Sequence, residues 1–365
     1  MELPSYFKDF LSEIRLTPNQ VNDMVKGHNT LRKRLKKDDE LSKIIVRMFL
    51  QGSYGRFTAV RPKGNNNSDV DLVVVTKLDK GEYSPKQALE LFVPFLEEHY
   101  EGKCQIQKRS LRICLSYVDL DIVVTIAPSE SEEGILQQME LLSKLSPQKM
   151  IMGLENPIVE STVQKAFALK DDSPEWKKVP LYLPDQEADK WIETHPLEQI
   201  RWTIKKNSST NGHYINVVKA LKWWRKEKYP EAGHPKSYPL EHFIGDCCPD
   251  GIESVAKGVA STLEKMAEYE TKPVLQDRGV PDHDVFGRLS KEEYEDFYNH
   301  VSDAAILANE ALNSDDKNES IAKWKELFGN KFPDPPQNNK NSGNKNGGFT
   351  TRTEKTANIP GRRFA

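Results

Sequence analysis

Three shortages narrow the field before any motif is read. The 365-residue chain has no surplus of positive charge: 52 lysines and arginines stand against 55 aspartates and glutamates, for a net charge of −3. No chain-wide basic field draws in nucleic acid, whereas an enzyme of small phosphorylated substrates needs only local positive charge. Cysteine is scarce, at Cys104, Cys114, Cys247 and Cys248. Their spacing lacks the paired pattern of a zinc site or a disulfide framework, so separate thiols in a reducing compartment are expected. Long apolar runs are missing too, which argues against a membrane span. Met1-Glu2-Leu3-Pro4-Ser5 lacks the basic-then-apolar order of a leader. A cytoplasmic protein with no membrane partner and no obligatory nucleic acid is expected.

What is present suits a folded enzyme. Hydrophobic residues make up 37% of the chain and charged residues 29%, and the length allows two domains. Thr17-Pro18-Asn19-Gln20 reads as a capped helix start running towards Leu35. The apolar residues of Leu41 to Leu50 recur on a helical period, and Tyr83 to Tyr100 reads as one further helix. Residues 60–68 are loop-like in composition. Arg112 to Leu115 and Val118 to Ile126 are strand candidates. A connector follows Pro128, with Trp176, Trp191 and Trp202 as docking points. The second half is mainly helical, with helices expected over 212–229, from Ile252 to Tyr269, from Phe286 to Ala304 and from Ala322 to Phe328. Residues 337–348 are almost wholly Gln, Asn, Lys, Gly and Ser, too polar to offset their ordering entropy. The division expected is 1–200 for a catalytic domain with N-terminal helices, 201–330 for a helical nucleotide-binding domain and 331–365 for a tail.

The chemistry concentrates around one strand. Gln51-Gly52-Ser53 precedes Asp69-Val70-Asp71, and Leu72 to Val75 continue as an apolar strand. Side chains alternate along a strand, so Asp69 and Asp71 share a face. Paired carboxylates there suit magnesium, a hard cation that bridges protein oxygens and phosphates; manganese is the natural substitute. A Gly-Ser turn can bring a hydroxyl and backbone N–H groups to a phosphate tail. The second acidic strand carries Asp119 and Asp121, which share parity. The apolar run Ile122-Val123-Val124 favours Asp121 as the third ligand, with Asp119 either supporting it or taking its place. Lys219 and Lys222 are neighbours on the flank of a helix and can neutralise a triphosphate. Arg56, Arg61 and Lys63 can add local positive charge. Ser237-Tyr238 can offer a hydroxyl to phosphate and a ring to a base, or be simply a cap and a packed aromatic. Asp277 to Asp284 can line a base pocket or be an ordinary loop.

The pattern Gln51-Gly52-Ser53-Tyr54-Gly55 with Ser68-Asp69-Val70-Asp71-Leu72 resembles the DNA polymerase beta-like nucleotidyltransferases. With Asp121-Ile122-Val123, Val218 to Trp224 and Ser237 to Glu241, it is similar to the bacterial CD-NTases, relatives of cyclic GMP-AMP synthase and oligoadenylate synthase, and to their clade D in particular. The resemblance implies an α+β fold: a polymerase beta-like core with a mixed β-sheet, packed against a helical C-terminal domain in an oligoadenylate synthase-like bilobed arrangement. It implies metal binding by Asp69, Asp71 and Asp121, and phosphate contacts from Ser53 and Lys222. It further implies ATP and GTP as substrates, a cyclic di- or trinucleotide product, and an anti-phage effector reached through that diffusible product. A proline that often follows the third aspartate in the family is replaced here by Val124-Thr125. Gly361 to Ala365 resembles the C-termini that ubiquitin-transfer-like enzymes conjugate in some members, with Ala365 as the point of attachment.

Overall fold

The sheet is organised by two parallel strands that carry the acidic pairs. A computed structural model describes residues 1–64, 66–126 and 180–336. Strand β2 (Asp69–Thr76) lies parallel to β5 (Asp119–Ile126), with Asp69 opposite Asp119 and Asp71 opposite Asp121. β1 (Ile45–Gln51) pairs antiparallel with β2 and places Gln51 opposite Asp71. On the other side, β4 (Leu111–Cys114) pairs antiparallel with β5, and β3 (Cys104–Ile106) with β4. The hairpin β6 (Leu181–Asp185) and β7 (Lys190–Thr194) joins β5 where Ile126 meets Tyr182. The sheet is therefore mixed, with the order β1-β2-β5-β4-β3 along its main path.

Strand alternation gives the sheet two different faces. Val70, Leu72 and Val74 turn towards α2 (Pro18–Lys37) and α6 (Val93–Tyr100), where they pack with Leu31, Leu35, Phe95 and Leu96. Val73 and Val75 share parity with Asp69 and Asp71. They pack with Phe49, Leu181 and Leu197 on the opposite face. The carboxylates thus emerge away from the α2 layer and towards the helical half.

Several expected boundaries change. Helix α2 begins as expected: Thr17 accepts from the Gln20 N–H, and the Gln20 side chain accepts from the Thr17 N–H. The segment Leu41 to Leu50 is not one helix. A single turn, α3 (Leu41–Ile44), gives way to β1, because pairing with β2 satisfies the backbone that a lone helix would have satisfied internally. Tyr83 to Tyr100 is also divided, into α5 (Pro85–Glu90) and α6. Pro94 has no N–H to give to a preceding carbonyl and fits only the first turn of a new helix.

The helical half comprises α7 (Pro196–Ser209), α8 (Tyr214–Lys228), α9 (Ser237–Cys247), α10 (Val255–Ala267), α11 (Lys291–Asn313) and α12 (Lys317–Phe328), after the four-residue α4 (Gly52–Gly55) in the sheet half. For α11 the sequence predicts a start at Phe286. Its start at Lys291 is fixed by a capping box between Ser290 and Glu293. N-terminal α1 (Pro4–Ile14) adds Phe7, Phe10, Leu11 and Ile14 to the core of this bundle. Phe10 stacks on Phe328 at 4.5 Å, and Phe7 meets Trp324 edge-on at 5.0 Å. Met1–Asp334 forms one compact unit. Trp191 donates to the Tyr83 carbonyl, and Trp202 lies under the Arg278 guanidinium at 3.7 Å, so both dock as expected. The connector after Pro128, Trp176 and the tail to Ala365 lie outside the described residues. All four thiols are unbridged. Among the described residues, no helix is long and apolar enough to cross a membrane.

Candidate active site

The acidic corner is built by strand register. Asp69, Asp71 and Asp121 each present an oxygen, and these oxygens lie within 4.8 Å of one another. The parallel pairing makes this possible, since it sets two in-phase acidic strands side by side. Asp121 is buried, Asp71 half-buried and Asp69 exposed. Withdrawal from water, and then the negative charge of Asp69, push the Asp71 carboxyl up to about 6 and that of Asp121 up to about 7. Asp121 Oδ1 and Gln51 Oε1 are buried without a hydrogen-bond donor. An oxygen-only set of this kind, crowded and short of donors, fits a hard divalent cation.

Asp119 stands apart from that triad. Its Oδ1 accepts from Asn67 Nδ2 at 3.0 Å, and its Oδ2 is 3.6 Å from Arg112. Arg112 was not singled out from the sequence. It faces Asp121 across the β4–β5 ladder and donates to Asp69 Oδ1 at 3.0 Å, so it is a cation in direct contact with the cluster. The available signal was alternation, since Leu111 and Ile113 turn inward and send Arg112 to the acidic face.

Gly52 is required where it stands. Its φ is +68°, and a Cβ there would lie 1.7 Å from Asp71 Oδ2. Only glycine lets the turn after β1 close against the carboxylate. Ser53 follows, with its carbonyl accepting from the Thr58 N–H at 2.9 Å. Gln51, Gly52, Ser53, Asp69 and Asp71 form one wall of a cleft of about 420 Å³. The opposite wall includes Gln199, Ser237, Tyr238, Asp277 and His283 from the helical half. The paired expectations for Ser237-Tyr238 and for Asp277 to Asp284 therefore meet on one surface.

Lys219 and Lys222 are not on that surface. Both are buried, at 6% and 5% exposure, because every residue of α8 from Tyr214 to Trp224 is packed inside the bundle. The flank they share is an internal one, and neither of these two lysines, expected to neutralise a triphosphate, lines this cleft. Lys222 donates to Glu241 Oε1 at 2.7 Å, as does the Thr58 hydroxyl at 2.7 Å, and Arg56 Nε donates to Glu241 Oε2 at 2.9 Å. Burial alone would raise the Glu241 carboxyl, but Arg56 and Lys222 outweigh it and hold it at about 2. Lys219 lines a separate small void beside Arg15 and Tyr54. Arg61 donates to the Arg15 and Ser12 carbonyls, and Lys63 to that of Lys226, so neither points to the acidic corner.

Comparison with known proteins agrees with this geometry. Residues 1–136 match the Second Messenger Oligonucleotide or Dinucleotide Synthetase domain. The chain is 43% identical to the cyclic AMP-AMP-GMP synthase of Enterobacter hormaechei subsp. hoffmannii (strain UCI 50), over 96% of each chain. It belongs to the CD-NTase family. It is also 44% identical to a probable cyclic AMP-AMP-GMP nucleotide synthase of Salmonella paratyphi B, over 97% of each chain. Among solved structures, E. coli MS115-1 CdnC with ATP matches at a TM-score of 0.64 and 16% identity, covering 91% of this chain and 100% of that one. At that identity the likeness speaks to fold: a mixed sheet packed on a C-terminal helical bundle, the bilobed polymerase beta-like architecture of this CD-NTase. Cyclic-oligonucleotide synthesis is the activity of the family, and the carboxylate cluster is compatible with a divalent metal.

Proposed function

We propose that this CD-NTase is a template-independent synthase that joins ATP and GTP into cyclic AMP-AMP-GMP with magnesium as its metal. The convergence of Asp69, Asp71 and Asp121 beside the Gly52-Ser53 turn carries the reading. The two relatives above 40% identity support the product. A bound divalent ion at these carboxylates would neutralise the triphosphate and the departing pyrophosphate. The residues themselves do the rest. Ser53 offers its hydroxyl to the phosphate tail, and Gln51 flanks it. Asp121, held on the inner strand, orients the attacking ribose hydroxyl and takes its proton. Tyr238 presents its ring to a base across the cleft, and Ser237 lies beside it. The diffusible product would act on an effector in anti-phage defence.

The test is direct. Protein incubated with ATP, GTP and magnesium should release pyrophosphate and yield a phosphatase-resistant product whose mass contains two AMP units and one GMP. Asp69→Asn with Asp71→Asn should abolish this while the circular dichroism spectrum is retained. Linear products, or a strict need for an RNA primer, would replace this reading with a linear nucleotidyltransferase. Nucleotide binding without turnover would leave an inert sensor.

A further inference from the structure

The helical wall of the cleft contains a carboxylate that no step above uses. Asp277 makes four hydrogen bonds and divides them between two jobs. Its Oδ1 accepts from the backbone N–H groups of Gly279 at 2.8 Å and Val280 at 3.2 Å. Its Oδ2 accepts from the Tyr238 hydroxyl at 2.6 Å and from Gln199 Nε2 at 3.4 Å. One oxygen therefore shapes the loop and the other grips the aromatic ring.

The loop is itself closed. The Asp277 N–H donates to the His283 carbonyl at 2.8 Å, and the His283 N–H to that of Val280 at 2.9 Å. It also has a fixed seat: a Cβ on Gly279 would lie 2.3 Å from His195 Cβ and 2.9 Å from the His195 carbonyl oxygen. His195 caps α7, and Gln199 is one turn further along it. The ring of Tyr238 is constrained elsewhere as well, with the Arg56 guanidinium 5.0 Å from its centroid and His242 meeting it edge-on at 6.0 Å. Arg56 is the residue that Glu241 ties to the turn after Ser53. The ring is thus fixed at its hydroxyl by the 277–283 loop and at its face by the turn that carries Ser53.

We propose that Asp277 is a positioning residue for the nucleotide: it anchors Tyr238 so that the ring is preset for stacking on a purine base, with the loop's seat on His195 as the fixed reference. This rests on the proposed function only in that Tyr238 meets the base. Stacking on an aromatic side chain is worth about 1–3 kcal/mol per base and is tolerant of base identity. Ring placement then acts on affinity for both ATP and GTP rather than on the choice between them. A hydrogen bond that holds a ring against motion contributes by lowering the ordering cost of binding.

The experiment compares Asp277→Ala, Tyr238→Phe, the double variant and Gly279→Ala in the full chain. Binding of non-hydrolysable ATP and GTP analogues is measured by calorimetry, and KM and kcat by pyrophosphate release. Each single variant should weaken binding of both analogues and raise KM about 3–10-fold, with kcat changed less than about twofold. The double variant should be no worse than the poorer single, since both remove the same bond. Gly279→Ala should reproduce the effect with both the Asp277 and the Tyr238 side chains unchanged, by lifting the loop from His195. Unchanged analogue affinity in Asp277→Ala, additive losses in the double variant, or a fall in kcat at constant KM would overturn the proposal. Because analogue binding needs no product, wild-type protein that binds but forms no cyclic nucleotide would refute the proposed function and leave this inference standing.

Discussion

Two carboxylate-bearing sites lie on either side of the Gly52–Thr58 turn, and they are compensated in opposite ways. At the strand ends, Asp69, Asp71 and Asp121 crowd together with Arg112 hydrogen-bonded to Asp69, and the Asp71 and Asp121 carboxyls are pushed up to about 6 and about 7. Inside the bundle, Glu241 is a single carboxylate with two cations and the Thr58 hydroxyl on its two oxygens, and it is held at about 2. The first site is short of positive charge and opens on a cleft. The second is closed and satisfied. A protein can keep like charges together when a ligand is to supply what is missing, and a buried ion cluster without that task must be complete within the fold.

The sharpest way to break the comparison is to neutralise each site. Asp69→Asn with Asp71→Asn should lower nucleotidyl transfer by ~10³-fold or more, while relief of repulsion leaves the metal-free melting temperature unchanged or higher. A variant that unfolds, or one that remains active, would show that the acidic corner is structural. Glu241→Gln should do the reverse. Leaving Arg56 and Lys222 buried with an uncharged neighbour should cost about 3–5 kcal/mol in urea unfolding. A loss below about 1 kcal/mol would mean that water reaches the cluster.

Gly52→Ala comes next. A methyl group cannot share space with Asp71, and the left-handed backbone adds strain of about 1–2 kcal/mol. Activity should fall by roughly 10²-fold with a modest loss of stability, read as kcat and as a melting temperature. The smallest effect is on pH dependence. An unfolded carboxyl releases its proton near 3.8, whereas Asp71 and Asp121 retain theirs to about 6 and about 7 in the fold. The folded state then binds more protons across that window, so metal-free stability should fall as pH rises from about 4 through about 7. Added magnesium should remove the fall. Glu241 has the opposite sign: its stabilising contribution is present above the ordinary glutamate value and is lost as pH drops towards about 2. A metal-free protein whose melting temperature is flat between pH 4 and pH 8 would contradict the acidic-corner half of the comparison.

Which of these features could be read in advance depended on how local they are. The capped start of α2 and the in-phase Asp69 and Asp71 follow from residues a few places apart, so spacing was enough. Leu41 to Leu50 failed because a short apolar run suits either a helix or a strand, and only the partner β2 decides. Arg56 and Glu241 are not legible as partners for the same reason: they meet across 185 positions, and nothing near either one signals the other. For Lys222 the sequence offers a charge free to meet a triphosphate, but α8 is enclosed and that charge is matched by Glu241 from a different helix.

By itself the sequence determined the chemistry on offer: two acidic strands, a glycine that only a tight turn can need, and helices with their own start signals. Those depend on neighbours along the chain and on the fixed alternation of a strand. Tertiary structure decided which acids meet, through the parallel register that sets Asp71 beside Asp121 and leaves Asp119 to Asn67 and Arg112. It also decided which cations are spent inside the bundle and which ring faces the cleft. Those outcomes turn on burial and on contacts between distant segments, and a charge shows its partner only once the chain has folded around it.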